Sequence, residues 1–178
     1  IMGVEITMTS PGAIDAIKEA SAALGDTALI GAGSVLDAET ARACILAGAD
    51  FVVSPIFNKE LVEMCHRYSK IVIPGAFTPT EILNAWQSGA DVVKVFPATK
   101  LGPSYFKDVL GPLPQVKLTP TGGVELDNLG DFIKAGAAFV GAGSSLVDKT
   151  LVAEERWDEL TERARQFVAE AQKARASN

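Results

Sequence analysis

Residues Ala47-Gly48-Ala49-Asp50-Phe51-Val52-Val53-Ser54-Pro55, AGADFVVSP, hold a helix stop and a strand start side by side. Gly48 closes a helix-period run because glycine takes the left-handed backbone that other residues resist, and an apolar run follows at once. The same junction recurs as SGADVVKVFP (Ser88 to Pro97) and AGAAFVGAG (Ala135 to Gly143). A recurrence about every 40 residues without sequence identity is repetition of a supersecondary unit. The strand runs carry no polar face, as expected of a parallel sheet covered by helices on its outside.

Outward from these junctions, strand-like runs are Gly3 to Met8, Ala28 to Val35, Asp50 to Ile56, Ile71 to Phe77, Asp91 to Pro97, Val116 to Val124 and Ala138 to Val147. Helical patterns alternate with them: Pro11 to Leu24, Asp37 to Ala47, Asn58 to Tyr68, Thr80 to Ser88, Ser104 to Leu110, Leu126 to Ala135 and a long closing helix from Glu154 to Ala174. Asp37 is placed as an N-cap, Thr78 with Glu81 has capping-box spacing, and Pro11 and Pro79 suit a first helical turn. In the closing helix Trp157, Leu160, Ala164, Phe167 and Ala171 share one face and are expected to cover the sheet.

Seven strand-helix units are counted, and uninterrupted repetition of this kind favours a closed barrel. The sequence thus reads as one α/β domain over residues 1–178, a TIM (β/α)8 barrel lacking its first βα unit. Ile1 opens the chain directly in a strand, where that unit would stand. An open doubly wound sheet is the alternative, but no GxGxxG follows the first strand.

A chain of 178 residues with 48% hydrophobic content is ample for one core. Lys and Arg number 16 against 22 Asp and Glu, a net charge of -6 without a basic cluster, so nucleic acid is not an expected partner. Cys44 and Cys65 lie in helical patterns without metal or disulfide spacing, which fits a reducing cytoplasm. No apolar run approaches the roughly 18 residues of a membrane span, and no signal-peptide pattern is present.

In a barrel the functional groups gather at the C-terminal ends of the strands. One end carries Lys94, a cation within VVKVFP. An exposed lysine has a pKa near 10.4, so fewer than roughly one in a thousand is free amine at neutral pH. Burial among Val93, Val95 and Phe96 would raise that fraction, which is how Schiff-base lysines are prepared. Glu5, a carboxylate inside the equally apolar GVEITM, can move protons beside it. The glycine-rich ends PTGG and GAGSS offer Thr121, Gly122, Gly123, Gly143 and Ser144 as phosphate donors. His66, the one histidine, sits on a helix pattern away from every strand end, which disfavours Ser-His and Cys-His chemistry. One carboxylate and no histidine at the strand ends are too few for a divalent metal.

Taken together and in order, VEIT, GAGSV, FVVSP, IPGAFTPTEI, VKVFPA, PTGGV and GAGSSLV resemble the 2-keto-3-deoxy-6-phosphogluconate (KDPG) and 4-hydroxy-2-oxoglutarate aldolases, from about Gly3 to Val147. The resemblance implies a cytoplasmic (β/α) barrel, a homotrimer. It implies cleavage of the phosphorylated keto acid of the Entner-Doudoroff pathway to pyruvate and glyceraldehyde 3-phosphate, with no cofactor or metal. It implies Lys94 as the imine lysine and Glu5 as general acid and base. Ser34 stands where the family has a threonine that holds the pyruvate carboxylate. Pro55 belongs to the substrate-binding set, Phe96 and Pro97 to the wall beside the imine, and Thr121, Gly122, Gly123, Gly143 and Ser144 to the phosphate end. Thr9 replaces an arginine that helps bind the carboxylate in many members. Phosphogalactonate and 4-hydroxy-2-oxoglutarate aldolases share these residues. A phosphate-binding isomerase would use the same glycines without a buried amine, and a non-catalytic sugar-phosphate-binding barrel would form no imine.

Overall fold

The computed structural model describes residues 1–177 and resolves into two compact units, Ile1–Lys94 and the chain from Val95 onward. The first unit contains β1 (Gly3–Thr7), α1 (Ala13–Leu24), β2 (Leu29–Gly33), α2 (Ala38–Leu46), β3 (Phe51–Val53), α3 (Lys59–Arg67), β4 (Ile71–Ile73), β5 (Gly75–Ala76) and α4 (Pro79–Gln87). Strands β1-β2-β3-β4 form one parallel sheet in chain order. Sequential parallel pairing requires a crossover at every step, and the intervening helices supply it.

The period of two along each strand separates the sheet's faces. Ile30, Ala32, Val52 and Val72 point one way and pack with Ile17, Cys44, Ile45, Leu61, Val62 and Cys65 from the helices. Val53 and Ile73 belong to a second cluster, with Val92 and Phe51. Full burial of each large side chain contributes about 1.5–3 kcal/mol, so the helix-facing layer dominates this unit's stability.

The junctions behave as their sequence requires. Gly48 and Gly89 have φ of 109° and 99°, where a side chain would be strained. The aspartate after each junction also bonds to the sheet. Asp50 Oδ2 accepts the Ile30 N–H at 3.0 Å, and Asp91 Oδ2 accepts the Val72 N–H at 2.8 Å. Each carboxylate thus satisfies a donor at the start of an earlier strand. Asp37 caps α2 by accepting from Thr40 N at 2.7 Å, and Thr78 with Glu81 forms a full capping box on α4.

Two expectations are corrected here. Pro11 is not in the first turn of α1, which starts at Ala13 behind a left-handed Gly12. The run Ile71 to Phe77 is not one strand but β4 and β5, because Pro74 between them has no N–H to contribute to a ladder.

Strand β6 (Val93–Val95) carries Lys94, whose N–H donates to Pro74 O at 2.9 Å within the first unit. The second unit continues through a 3₁₀ turn (Ala98–Lys100), α5 (Gly102–Leu110), β7 (Leu118–Pro120), α6 (Leu129–Lys134), α7 (Lys149–Ala153) and α8 (Trp157–Ala176). The N–H of Thr121 donates to Val95 O at 3.2 Å. Phe106 and Phe132 pack edge to face at 5.4 Å between ring centres, fixing α5 on α6.

Two sequence expectations fail in this unit. Ala138 to Val147 forms no strand; it meets β7 through one parallel bridge, Thr121 to Gly141, with Ala138 N donating to Leu118 O. A chain bonded along only part of one edge does not sustain a ladder, and its glycines weaken it further. The expected closing helix is present as α8, starting at Trp157 because Glu155, at φ 54°, separates it from the short α7, but its covering face differs from expectation. Trp157 is 54% exposed, whereas Phe167 and Ala174 are the buried residues of α8.

Candidate active site

Lys94 is 4% exposed, and its neighbours Val93 and Val95 are fully buried. Burial lowers its pKa below the usual lysine value, and the negative charge of Glu5 partly restores it. For Glu5, burial of the carboxylate raises the pKa, and the Lys94 charge pulls it back. Glu5 as a whole residue is exposed, since β1 has a partner on one edge only in its sheet. The enclosed part is the carboxylate, which lies over Gly33.

That placement follows from the register. Glu5 pairs with Gly31 and Thr7 with Gly33, so the Glu5 side chain leans one pleat along the strand toward Gly33. A Cβ on Gly33 would fall inside the Glu5 carboxyl group, 2.6 Å from Cγ. A Cβ on Gly31 would meet the Phe51 ring, 2.5 Å from Cδ2. The two glycines of GAG therefore leave room for an acid and an aromatic ring in turn.

Three other expected residues lie in the first unit. Ser34 ends β2 at φ 56°, a left-handed conformation uncommon for serine and of the sort that accumulates at functional sites. Thr9 stands in the turn after β1, its hydroxyl 3.0 Å from that of Thr7, with Ser10 Oγ also 3.4 Å from Thr7 Oγ1. Pro55 turns its backbone onto Gly75: a Cβ there would collide with the Pro55 carbonyl and come within 2.8 Å of Ile56 N.

In the second unit the chain gathers the expected anion donors. Gly122 and Gly123 have φ of 86° and 73°. Gly122 lies against Phe96 and Pro97, at 3.6 Å and 3.7 Å from a Cβ position, and Gly123 against Thr99. Asn128 fixes this loop, donating Nδ2–H to Gly123 O and accepting the Glu125 N–H, both at 2.9 Å. Ser145 Oγ donates to Val124 O at 2.6 Å, which ties the segment of Gly143 and Ser144 to it. Among the described residues, the N–H groups of Gly123, Gly143 and Ser144 have no intramolecular acceptor, while the N–H of Gly122 faces Gly141 across the parallel bridge at Thr121. A Cβ on Gly143 would meet nothing within 4 Å, so its backbone faces open space. Three such donors from two joined segments suit an oxyanion.

Neither the Glu5–Gly33 contact nor the Asn128 brace was singled out from the sequence. The first needs the β1–β2 register, and the second could have been read from the DN after PTGGV. His66 has a structural bond, its Nε2 2.9 Å from Gly89 O on the α4 stop. Among the described residues no group of three or more His, Cys, Asp or Glu could hold a metal, and no helix is long and apolar enough to cross a membrane.

A buried amine and a carboxylate whose charge acts on it, with glycine-rich strand ends in the same chain, suit imine chemistry. The family model for KDPG and KHG aldolases matches residues 1–163. The chain belongs to that family. It is 37% identical to the 2-dehydro-3-deoxy-phosphogluconate aldolase of Haemophilus influenzae over 165 residues, 92% of this chain and 77% of that protein. A solved structure described as native KDPGal is 33% identical with a TM-score of 0.89, covering 98% of this chain and 83% of the other. The KDPG aldolase of Legionella pneumophila, solved with pyruvate captured as a covalent carbinolamine, is 32% identical with a TM-score of 0.85, over 92% and 79% of the two chains. The fold is accordingly α/β of the (β/α) barrel class, and this KDPG/KHG aldolase is a class I carbon–carbon lyase that works through a lysine imine.

Proposed function

We propose that this aldolase cleaves 6-phosphorylated 2-keto-3-deoxyaldonates to pyruvate and glyceraldehyde 3-phosphate. The observation that carries the reading is Lys94, 4% exposed between the buried Val93 and Val95, with the charge of Glu5 acting on it. Lys94 Nζ, as free amine, adds to the C2 carbonyl, and Glu5 supplies the proton with which hydroxide leaves as water. The resulting cationic imine draws the electron pair of the C3–C4 bond as Glu5 takes the C4 hydroxyl proton. Glyceraldehyde 3-phosphate departs, the enamine is protonated at C3 by Glu5, and water hydrolyses the imine to pyruvate and Lys94. Ser34 and Thr9 are the hydroxyls assigned to the carboxylate, with Pro55 beside them. Thr121, Gly122, Gly123, Gly143 and Ser144 suit the phosphorylated end, and Phe96 the wall beside the imine.

Both C4 epimers, gluconate- and galactonate-derived, belong to this reading. The galacto epimer is supported by the 33% identical KDPGal structure and by a 38% identical phosphogalactonate aldolase from Escherichia coli. Hydroxyls at Thr7, Thr9 and Ser10, rather than an arginine clamp, leave the carboxylate end less rigidly specified. Pyruvate release from each epimer and from unphosphorylated 4-hydroxy-2-oxoglutarate tests the assignment. A phosphorylated epimer should have the highest kcat/KM, and preference for the unphosphorylated acid would contradict it. We also assign a cytoplasmic homotrimer, supported by the exposed apolar residues Leu36, Ile56 and Phe77, which sedimentation equilibrium would check.

A further inference from the structure

Three atoms lie nearest to the point where a side chain would start on Gly33, and all belong to Glu5: Oε1, Cδ and Cγ. At Gly75 the corresponding atoms are backbone of Pro55 and Ile56, and at Gly31 they are a rigid ring. Gly33 thus differs from Gly31 and Gly75, because the atoms nearest its missing side chain are the flexible end of a carboxylic acid. Its backbone does not explain the glycine either: Gly33 is not among the residues with positive φ, whereas the next residue, Ser34, is.

We propose that Gly33 is a positioning residue for proton transfer, its absent side chain being the seat that holds the Glu5 carboxylate in working position. The proposal rests on the reading of Glu5 as the general acid and base. A methyl group at position 33 can be accommodated by rotating Glu5 about χ1 or χ2, at little cost to the fold. The displaced carboxylate then leaves both its enclosed site and the path of the proton, while Lys94 on β6 keeps its place. The two roles therefore separate in part in one variant: the amine still reaches its imine, only more slowly because Glu5 also assists the loss of water, while proton transfer at carbon fails.

The test uses pyruvate alone, whose imine on Lys94 loses a methyl proton to Glu5, gives the enamine, and regains a deuteron in heavy water. In Gly33→Ala, borohydride should still trap pyruvate on the protein at long incubation, at the reduced rate shared by Glu5→Gln. Methyl exchange followed by proton NMR should fall by roughly 10²–10⁴-fold, the range for a lost general acid–base group, and should match Glu5→Gln. The Glu5-dependent limb of its pH profile should move down toward the ordinary carboxylate range. Wild-type exchange with an unmoved profile in Gly33→Ala would overturn the proposal. Wild-type exchange in Glu5→Gln would instead overturn the role given to Glu5. A fold control completes the set, since Glu5→Ala removes all three contacting atoms. Glu5→Ala/Gly33→Ala should melt with Glu5→Ala, whereas a markedly lower melting temperature would make Gly33 a structural glycine and end the proposal.

Discussion

Burial drives Lys94 and Glu5 toward their neutral forms, and the charge of each pulls the other back toward its ionised form. Burial therefore favours the nucleophilic amine and the proton-donating acid, the two forms that imine chemistry uses.

Removing the lysine charge should upset Glu5 in a defined direction. In Lys94→Met the one attractive influence on the carboxylate is gone and burial remains, so the Glu5 pKa should rise further, as read by carbon-13 NMR of its carboxyl. A fall or no movement would mean that the two groups do not sense each other.

Stability should depend on pH with a sign fixed by the two shifts. The Glu5 pKa is raised from 4.5, so its contribution is present below that value and is lost as pH rises through its folded pKa. The Lys94 pKa is lowered from 10.5, so its contribution is present above that value and is lost as pH falls through its folded pKa. Urea unfolding should show stability rising with pH as 10.5 is approached, and Lys94→Met should flatten that rise. An equal slope in the variant would place the effect elsewhere.

Gly75→Ala should destabilise by about 1–3 kcal/mol, the usual cost of overpacking, because the obstacle is the Pro55 backbone and not a side chain that can turn away. Asp37→Ala should cost about 1 kcal/mol through loss of the α2 cap and leave aldol cleavage unchanged. Denaturant midpoints and pyruvate release would check both.

Much of this molecule was readable because its signals are local. The glycine stops at Gly48, Gly89 and Gly136 all adopt the positive φ that their place after a helix required. Asp37 and the Thr78–Glu81 pair cap the helices they precede. Lys94 drew notice because a charge in VVKVFP is costly without a purpose. What escaped depends on partners far along the chain. Whether Ala138 to Val147 becomes a strand depends on the neighbours that pair with it, and the exposure of Trp157 depends on the break at Glu155. The seat on Gly33 exists only once β1 and β2 are in register. A glycine in GAG cannot announce which side chain will fill its space.

Whether Lys94 carries the covalent chemistry is decided by incubation with pyruvate and borohydride followed by peptide mapping. One added three-carbon unit is expected, located on Lys94 and absent from Lys94→Ala, which should also lose aldol cleavage. An adduct on Lys100 or Lys117, or none at all, would contradict it.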